Sequence, residues 1–296
     1  MSVFSGMMPA IVTPLDERGE LITGSFERLL ERVYEAGSTG VYVCGQTGEG
    51  PQLPAAVREK AAEVAVANSP KGRAVIVHAG AGSTAEAVRL VRHASKAGAH
   101  GVSSLPPGAA YSYPEVRAYY EALAAETTVP LLVYYFPAVS QAIQSVEHVF
   151  DLCSIPNIVG LKFTDTDLYR LSLIQRAGHT IFNGRDEVAA AGILMGAHGG
   201  IGSFYNLVPE LFVKIYDDAQ AGNWASARAT QDRVNDLIRV VLSFPAMAAI
   251  KKLLTWSGIE SGVPVLPRRA MTAGEEAGLR KAVEAAGFVP DGFLKS

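Results

Sequence analysis

The sequence has little cysteine, no basic surplus and no long apolar run, and each shortage excludes a class of protein. Its two cysteines, Cys44 and Cys153, are too few for a disulfide scaffold and too far apart for a shared metal site. The six histidines also lack metal-ligand spacing, so we expect no metal. A net charge of −3 and a pI of about 6.1 leave nothing to neutralise a phosphate backbone, so we expect no nucleic-acid partner.

Signals for membranes and export are missing as well. Residues 1–14 carry no basic segment of the kind that begins a signal peptide, and no apolar run reaches the ~18 residues of a membrane span. We therefore expect a cytoplasmic protein without a membrane partner, whose cysteines are reduced core residues. What the sequence does have is apolar content, 49% of residues against 19% charged, which suffices for a large core.

Short apolar runs alternate with longer segments of helical period, the pattern of repeated βα units. No glycine-rich dinucleotide-binding turn follows an early strand, so we prefer a (β/α)8 barrel, the TIM-barrel architecture, to a doubly wound sheet. Pattern alone does not separate eight strands from seven. The predicted strands are 8–12, 40–44, 74–77, 101–104, 131–135, 158–163, 180–182 and 199–202.

The chain after residue 207 is predicted to be helical only. We place the barrel and its active site in residues 1–222, and a C-terminal helical extension packed on the barrel in residues 223–296. The predicted helices are 25–36, 55–68, 84–97, 113–125, 167–177, 207–221, 224–243, 246–257 and 273–286.

Lys162 is the first candidate for chemistry, because the active site of a parallel barrel lies at the C-terminal ends of its strands. It belongs to the otherwise apolar strand 158–163. A buried ammonium loses hydration, which lowers its pKa and favours the neutral amine that attacks a ketone to form an imine. On position alone, a structural lysine that reaches solvent or pairs with Asp165 or Asp167 is the commoner outcome.

Two further strand ends carry polar groups. The turn 45–49 offers backbone amides and the Thr47 hydroxyl, which suit a carboxylate, although an ordinary βα loop has the same composition. Tyr134 and Tyr135 alternate along a strand, so one faces the barrel interior and the other faces the helices. An interior tyrosine either shuttles protons or only packs. His78 also ends a strand, and we expect it to be structural.

Four segments, taken in order, resemble the dihydrodipicolinate synthase / N-acetylneuraminate lyase family of pyruvate-dependent class I aldolases. They are PAIVTP at 9–14, GQTGE at 45–49, YYFP at 134–137 and GLK at 160–162, and the likeness extends from about residue 6 to residue 250. The resemblance implies an imine between Lys162 and pyruvate, with proton transfer by Tyr134. It also implies no metal or organic cofactor and a homotetramer. The segment that would hold the pyruvate carboxylate comprises Gln46, Thr47 and Gly48.

Within that family the sequence resembles the lyase branch more than the synthase branch. Pro137 is followed by Ala-Val-Ser, whereas the synthase branch usually has Gly-Arg-Thr there, with an arginine that binds the second carboxylate of its aldehyde substrate. Acidic and hydroxyl side chains after later strands suit a polyhydroxylated substrate. The positions that resemble sugar contacts of the lyases are Thr164, Gly184, Asp186, Glu187 and Ser203. On the residues alone, Asp186 and Glu187 equally suit the acidic first turn of a helix.

Two departures from the family pattern bear on the substrate. Gln46 replaces the usual serine or threonine, and Gly108 stands where the family commonly has a tyrosine that enters a neighbouring subunit's site; Tyr111 and Tyr113 are candidates to replace it. We predict a lyase that cleaves a sialic-acid-like 2-keto sugar acid to pyruvate and an aldose. The alternatives are 4-hydroxy-tetrahydrodipicolinate synthase, which condenses pyruvate with aspartate semialdehyde, a related keto sugar-acid aldolase or dehydratase, and a binding protein without turnover.

Overall fold

The computed structural model describes residues 4–108 and 110–291, and its centre is an eight-stranded parallel sheet. Each strand pairs with the next along the chain from β2 to β8, and β8 pairs with β1. A bridge between Ala10 and Tyr42 brings β1 to β2, so the sheet curls into a barrel. The strands are β1 (Gly6–Pro9), β2 (Gly40–Val43), β3 (Ala74–His78), β4 (Gly101–Ser104), β5 (Leu131–Tyr135), β6 (Ile158–Phe163), β7 (Thr180–Asn183) and β8 (Gly199–Gly202).

A helix follows every strand, which confirms the predicted (β/α)8 barrel. These helices are α1 (Thr23–Glu35), α2 (Ala55–Ala67), α3 (Thr84–Lys96), α4 (Tyr113–Glu126), α5 (Val146–Cys153), α6 (Leu168–Arg176), α7 (Ala189–Leu194) and α8 (Pro209–Gln220). Three more come after them, α9 (Trp224–Val241), α10 (Ala246–Trp256) and α11 (Ala273–Ala285). None of the helices in the described ranges is long and apolar enough to cross a membrane.

Sequence pattern missed two helices and misplaced one strand. Helix α5 has eight residues and α7 has six, which is too short for an apolar stripe to repeat clearly. The first strand was predicted at 8–12 but ends at Pro9. The apolar run continues to Val12, whose N–H donates to the Asn206 side chain at 3.0 Å instead of to a strand.

Side chains inside the barrel form an apolar cluster separate from the larger one between the strands and helices. Because strand residues alternate, Tyr134 lies in the inner cluster and Tyr135 in the outer one, as predicted. The inner cluster is Phe4, Met8, Ala10, Tyr42, Ile76, Leu105, Leu132, Tyr134, Phe182 and Ile201.

The C-terminal helices are tied to the barrel at the loop after β2. Glu49 Oε2 lies 2.6 Å from the Nζ atom of Lys251 on α10, and both side chains are fully buried. Glu49 Oε1 accepts the backbone N–H of Val265 at 2.8 Å. Since α9 also packs on α8, the boundary at residue 222 stays a prediction, and the outer ends of the two ranges, 1–3 and 292–296, lie outside the described residues.

Candidate active site

Lys162 lies inside the barrel, on β6, and only 3% of its surface is exposed. Its Nζ atom is 4.1 Å from the centre of the Tyr134 ring and 4.4 Å from that of Tyr42. The alternative pairing with Asp165 or Asp167 is wrong. Asp167 instead pairs with Arg170, and Asp165 accepts the N–H of Thr166.

Burial lowers the pKa of Lys162 to about 7, because the ammonium has lost water and gained only aromatic faces. The charge of Asp186 opposes this shift, since a carboxylate favours the protonated amine. A substantial fraction of Lys162 is therefore the neutral, nucleophilic amine near neutral pH.

Tyr134 pairs with Lys162 across β5 and β6 and is as deeply buried. Burial raises the pKa of its phenol, while the Thr164 hydroxyl beside it opposes the rise. Thr164 Oγ1 is itself buried and makes no well-formed hydrogen bond with the described chain. The phenol is thus protonated near neutral pH, and its polar neighbour suits the exchange of a proton with a substrate hydroxyl.

Tyr42 and His78 complete the aromatic surroundings of Lys162. The Tyr42 hydroxyl donates to Ser103 Oγ at 3.0 Å. His78 Nε2 accepts the N–H of Leu105 and Nδ1 faces the carbonyl of Cys44, each at 3.1 Å, so backbone groups occupy both ring nitrogens. Burial, with the positive charge of Arg58, holds the pKa of His78 well below its usual value. His78 is a neutral structural residue, as predicted.

Asp186 brings a buried carboxyl group to the site. Its Oδ2 accepts the N–H of Phe204 at 2.8 Å, which ties the loop after β7 to the loop after β8. Burial raises the pKa of this carboxyl to about 7, and the charge of Lys162 opposes the rise. The pKa of Asp186 and the pKa of Lys162 therefore each depend on the charge of the other group.

Thr47 and Ser203 meet although 156 positions separate them, with their hydroxyl oxygens 2.6 Å apart. Thr47 comes from the loop after β2 and Ser203 from the loop after β8. The carbonyl of Gly48 accepts a hydrogen bond from Thr13 Oγ1 at 2.7 Å, which holds the Thr47 turn against the end of β1. One hydroxyl donates to the other in this arrangement, which leaves the proton of the second hydroxyl free for an acceptor such as a carboxylate.

Two glycines make room for these side chains. A Cβ atom on Gly184 would lie 2.1 Å from Thr164 Oγ1, and one on Gly202 would lie 1.9 Å from Asp186 Oδ1. Any larger residue at either position would displace a polar group of the site. Gly184, predicted as a substrate contact, thus has a visible packing role beside Thr164.

Of the other predicted residues, Gln46 is partly buried and belongs to the Thr47 turn. The Glu187 side chain is 41% exposed and lies 3.6 Å from Arg185. Tyr113 donates to Asp151 at 2.5 Å and stacks on His148, whereas Tyr111 is 39% exposed. Tyr113 is therefore engaged within its own chain.

Sequence reasoning missed Tyr42 and Arg185. The sequence did contain a signal for Tyr42, because the alternation of side chains along β2 places it inside the barrel, where it can contact residues of the other strands. Arg185 lies between two predicted contacts, but nothing in the sequence shows which way its side chain points. No group of three or more His, Cys, Asp or Glu residues in the described ranges is placed to hold a metal ion.

Residues 3–286 match the model of the Dihydrodipicolinate synthetase family. The chain belongs to this family. The family predicted from the four sequence segments is thereby confirmed, and members of the family named as lyases are among its relatives in sequence and structure.

An N-acetylneuraminate lyase of Rhizobium meliloti is 36% identical over 283 residues, covering 94% of each chain. N-acetylneuraminate lyase 2 of Escherichia coli is 33% identical over 262 residues, which cover 86% of this chain and 85% of its own. The solved Proteus mirabilis N-acetylneuraminate lyase matches with a TM-score of 0.89 at 28% identity, over 97% of this chain and 99% of its own.

Proposed function

We propose that this protein is a pyruvate-dependent class I lyase that cleaves a 2-keto sugar acid of the sialic-acid type to pyruvate and an aldose. One observation carries the proposal: Lys162, buried and outside ion-pair distance of every carboxylate in the described ranges, has its amine on the ring of Tyr134. The sequence relatives named N-acetylneuraminate lyase support the substrate class.

The reaction begins when the neutral amine of Lys162 adds to the keto carbon, and the keto oxygen leaves as water. Tyr134 then relays the proton of the hydroxyl on the carbon that becomes the aldehyde: its phenol oxygen accepts that proton as the phenol's own proton passes on to water. The carbon–carbon bond breaks, its electrons enter the imine, and an enamine of pyruvate remains on the lysine. Protonation of the enamine and addition of water release pyruvate and restore the amine. These steps require no metal or organic cofactor.

The remaining contacts fit the two ends of such a substrate. The hydroxyls of Thr47 and Ser203, with the amides of Gln46 and Gly48, are proposed to hold the carboxylate next to the keto group. Thr164, Gly184, Asp186 and Glu187 are proposed to face the hydroxylated chain beyond it. Hydrogen bonds of this kind reject analogues that lack the hydroxyls.

The decisive experiment traps the imine. The protein is incubated with pyruvate, reduced with borohydride, digested and analysed by mass spectrometry. We expect an N-carboxyethyl adduct on Lys162, and its formation is expected to be lost in Lys162→Met. Lys252, half-buried on α10 and paired with Glu276 at 2.8 Å, is an internal control that should stay unmodified.

An unmodified Lys162 in the native protein would refute the mechanism. If the adduct forms, two assays distinguish the branches of the family. One measures the cleavage of N-acetylneuraminate, and the other measures the condensation of pyruvate with aspartate semialdehyde. Condensation that is faster with aspartate semialdehyde than with any aldose would favour the synthase over the lyase.

We also propose a homotetramer. Tyr111 and Val139, at 39% and 44% exposure, are large apolar side chains on the rim of the barrel, beside a groove between the loops after β4 and β5. A second copy that covers this rim would place Tyr111 near a neighbouring site and compensate for Gly108. Light scattering coupled to size exclusion would measure the mass, and a monomer at micromolar concentration would contradict the proposal.

A further inference from the structure

Arg185 lies in the loop after β7, between Gly184 and Asp186, and its side chain extends toward the ring of Phe136, just after β5. Its Cζ atom is 5.7 Å from the centre of the Phe136 ring. That ring in turn stacks on Tyr134, with centroids 5.9 Å apart and an interplanar angle of 12°. The guanidinium of Arg185 therefore reaches the end of β5, next to the tyrosine proposed to move the proton.

The charge of Arg185 is weakly compensated. Its Nη1 atom is 3.6 Å from Glu187 Oε1, and these two side chains are 34% and 41% exposed. An ion pair of that length and exposure contributes little. The Nε atom is buried and has no hydrogen-bond partner within the described chain. Donors of the guanidinium thus remain available for a ligand in the site.

The charge of Arg185 acts on Tyr134, at one side of the site. Arg185 lowers the pKa of Tyr134, against the larger effect of burial. The pKa of Lys162, in contrast, responds to burial and to Asp186. The hydroxyls proposed for the keto-acid carboxylate enter from β2 and β8, whereas Arg185 and Phe136 enter from β7 and β5. The substrate end nearest Arg185 is then the end that leaves as the aldehyde.

We propose that Arg185 binds a second anionic group, a carboxylate or a phosphate, at the aldehyde end of the 2-keto sugar acid. This inference rests on the proposed function, because it assumes that Lys162 holds the pyruvate end. A guanidinium donates two parallel hydrogen bonds to either anion. The residues after Pro137 provide no cation for this task, since they are Ala138, Val139 and Ser140. Arg185 thus supplies the positive charge from another loop.

The test compares three aldoses in condensation with saturating pyruvate: D-mannose, D-mannuronate and D-mannose 6-phosphate. They share their configuration and differ at the terminal carbon alone. We expect the native enzyme to show the highest kcat/KM with one of the two anionic sugars. Arg185→Gln should lower that value by about 10-fold or more, the scale of a hydrogen bond to a charged group, and change the value for mannose by less than about twofold.

Two further variants test whether the shape and the position of the guanidinium matter. Arg185→Lys keeps the charge without the fork and should retain part of the anionic preference. Arg176→Gln makes the same chemical change on an exposed residue in the last turn of α6, at the opposite end of the barrel, and should leave all three values unchanged. The anion that loses more in Arg185→Gln identifies whether a carboxylate or a phosphate is the natural group.

Equal losses for mannose and the anionic sugars in Arg185→Gln would overturn the inference, and so would a native enzyme that prefers mannose to both. Trapping of pyruvate on Lys162 is measured in the same preparations and does not involve the aldehyde. Failure of that trapping in the native protein would count against the proposed function, whereas normal trapping without an anionic preference would count against Arg185 alone.

Discussion

Two lysines of the described chain are buried, Lys162 in the barrel and Lys251 on α10, and their neighbours differ. Lys251 Nζ lies 2.6 Å from Glu49 Oε2 and donates to the carbonyl of Val263 at 3.0 Å. Lys162 Nζ faces two aromatic rings instead. Burial lowers the pKa of both, but only Lys251 has acceptors that hold its proton in place.

The comparison shows how one residue type gives two outcomes in one fold. A buried ammonium with an anion and a carbonyl is a structural tie, because breaking it leaves a charge without a partner. A buried amine on aromatic faces gains a cation–π attraction that does not replace the lost hydration, so its pKa falls and a substantial fraction becomes the neutral nucleophile. The environment, and not burial itself, separates reactivity from structure.

The largest effect is expected from Lys162→Met. Turnover should fall by roughly 10⁴-fold or more, the scale seen when a covalent nucleophile is removed. The free energy of unfolding should stay the same or increase, because the substitution removes a polar group that has no ion partner. Urea unfolding followed by circular dichroism, at one protein concentration, measures the second quantity. A marked loss of stability would mean that Lys162 is as structural as Lys251.

Substitutions of the two tyrosines that contact Lys162 should have different effects on turnover. Tyr134→Phe is expected to lower turnover by about 10²–10⁴-fold, the usual contribution of a general acid–base group, while imine trapping on Lys162 persists. Tyr42→Phe is the matched control, since the Tyr42 hydroxyl is engaged with Ser103. Similar losses in the two variants would show that the rings act by packing, and that proton transfer has been assigned to the wrong tyrosine.

Lys251→Met should lower the stability of the protein and leave imine formation intact, which is the opposite of the effect of Lys162→Met. The substitution of Lys251 removes the buried ammonium and leaves the Glu49 carboxylate with the partly exposed Arg268, 3.4 Å away, and we expect a loss of about 3–5 kcal/mol in the free energy of unfolding. Imine trapping on Lys162 should persist in the fraction that remains folded. The double variant Glu49→Gln/Lys251→Met should recover part of the loss, because neither charge is then left alone. A double variant less stable than Lys251→Met would rule out this account.

The sequence predicted the reactive lysine better than the structural one, for a physical reason. Lys162 and Tyr134 lie in short apolar strands, where alternation decides which face each occupies and strand ends mark the site. Glu49 ends a recognisable turn, but its acceptor role joins it to Val265, 216 positions away. No local pattern contains such a pairing, because it depends on how the C-terminal helices lie on the barrel.

The rest of the site could not be predicted from the sequence, because side chains outside regular strands follow no period. Arg185 follows β7 in an irregular loop, so no period assigns it to the substrate or to solvent. The contact of Thr47 with Ser203 likewise depends on the closure of the barrel, which brings the loops after β2 and β8 together. The family resemblance identified both hydroxyls as candidates, and the structure adds that they touch.

The smallest predicted effect tests whether the charge of Asp186 stabilises the ammonium of Lys162, as the charge of Glu49 stabilises that of Lys251. Asp186 favours the ammonium, so Asp186→Asn should lower the pKa of Lys162 further below about 7. Because the neutral amine is the reactive form, the rate of pyruvate imine formation rises as pH rises through that pKa. The midpoint of this rise should therefore move to lower pH, by about one unit, as expected for the loss of a neighbouring charge. Rates of borohydride trapping between pH 5 and pH 9 measure the midpoint, with Asp165→Asn as the control on a half-buried carboxylate that accepts the N–H of Thr166. A shift to higher pH would mean that Asp186 controls imine formation through its own proton and not through its charge on Lys162.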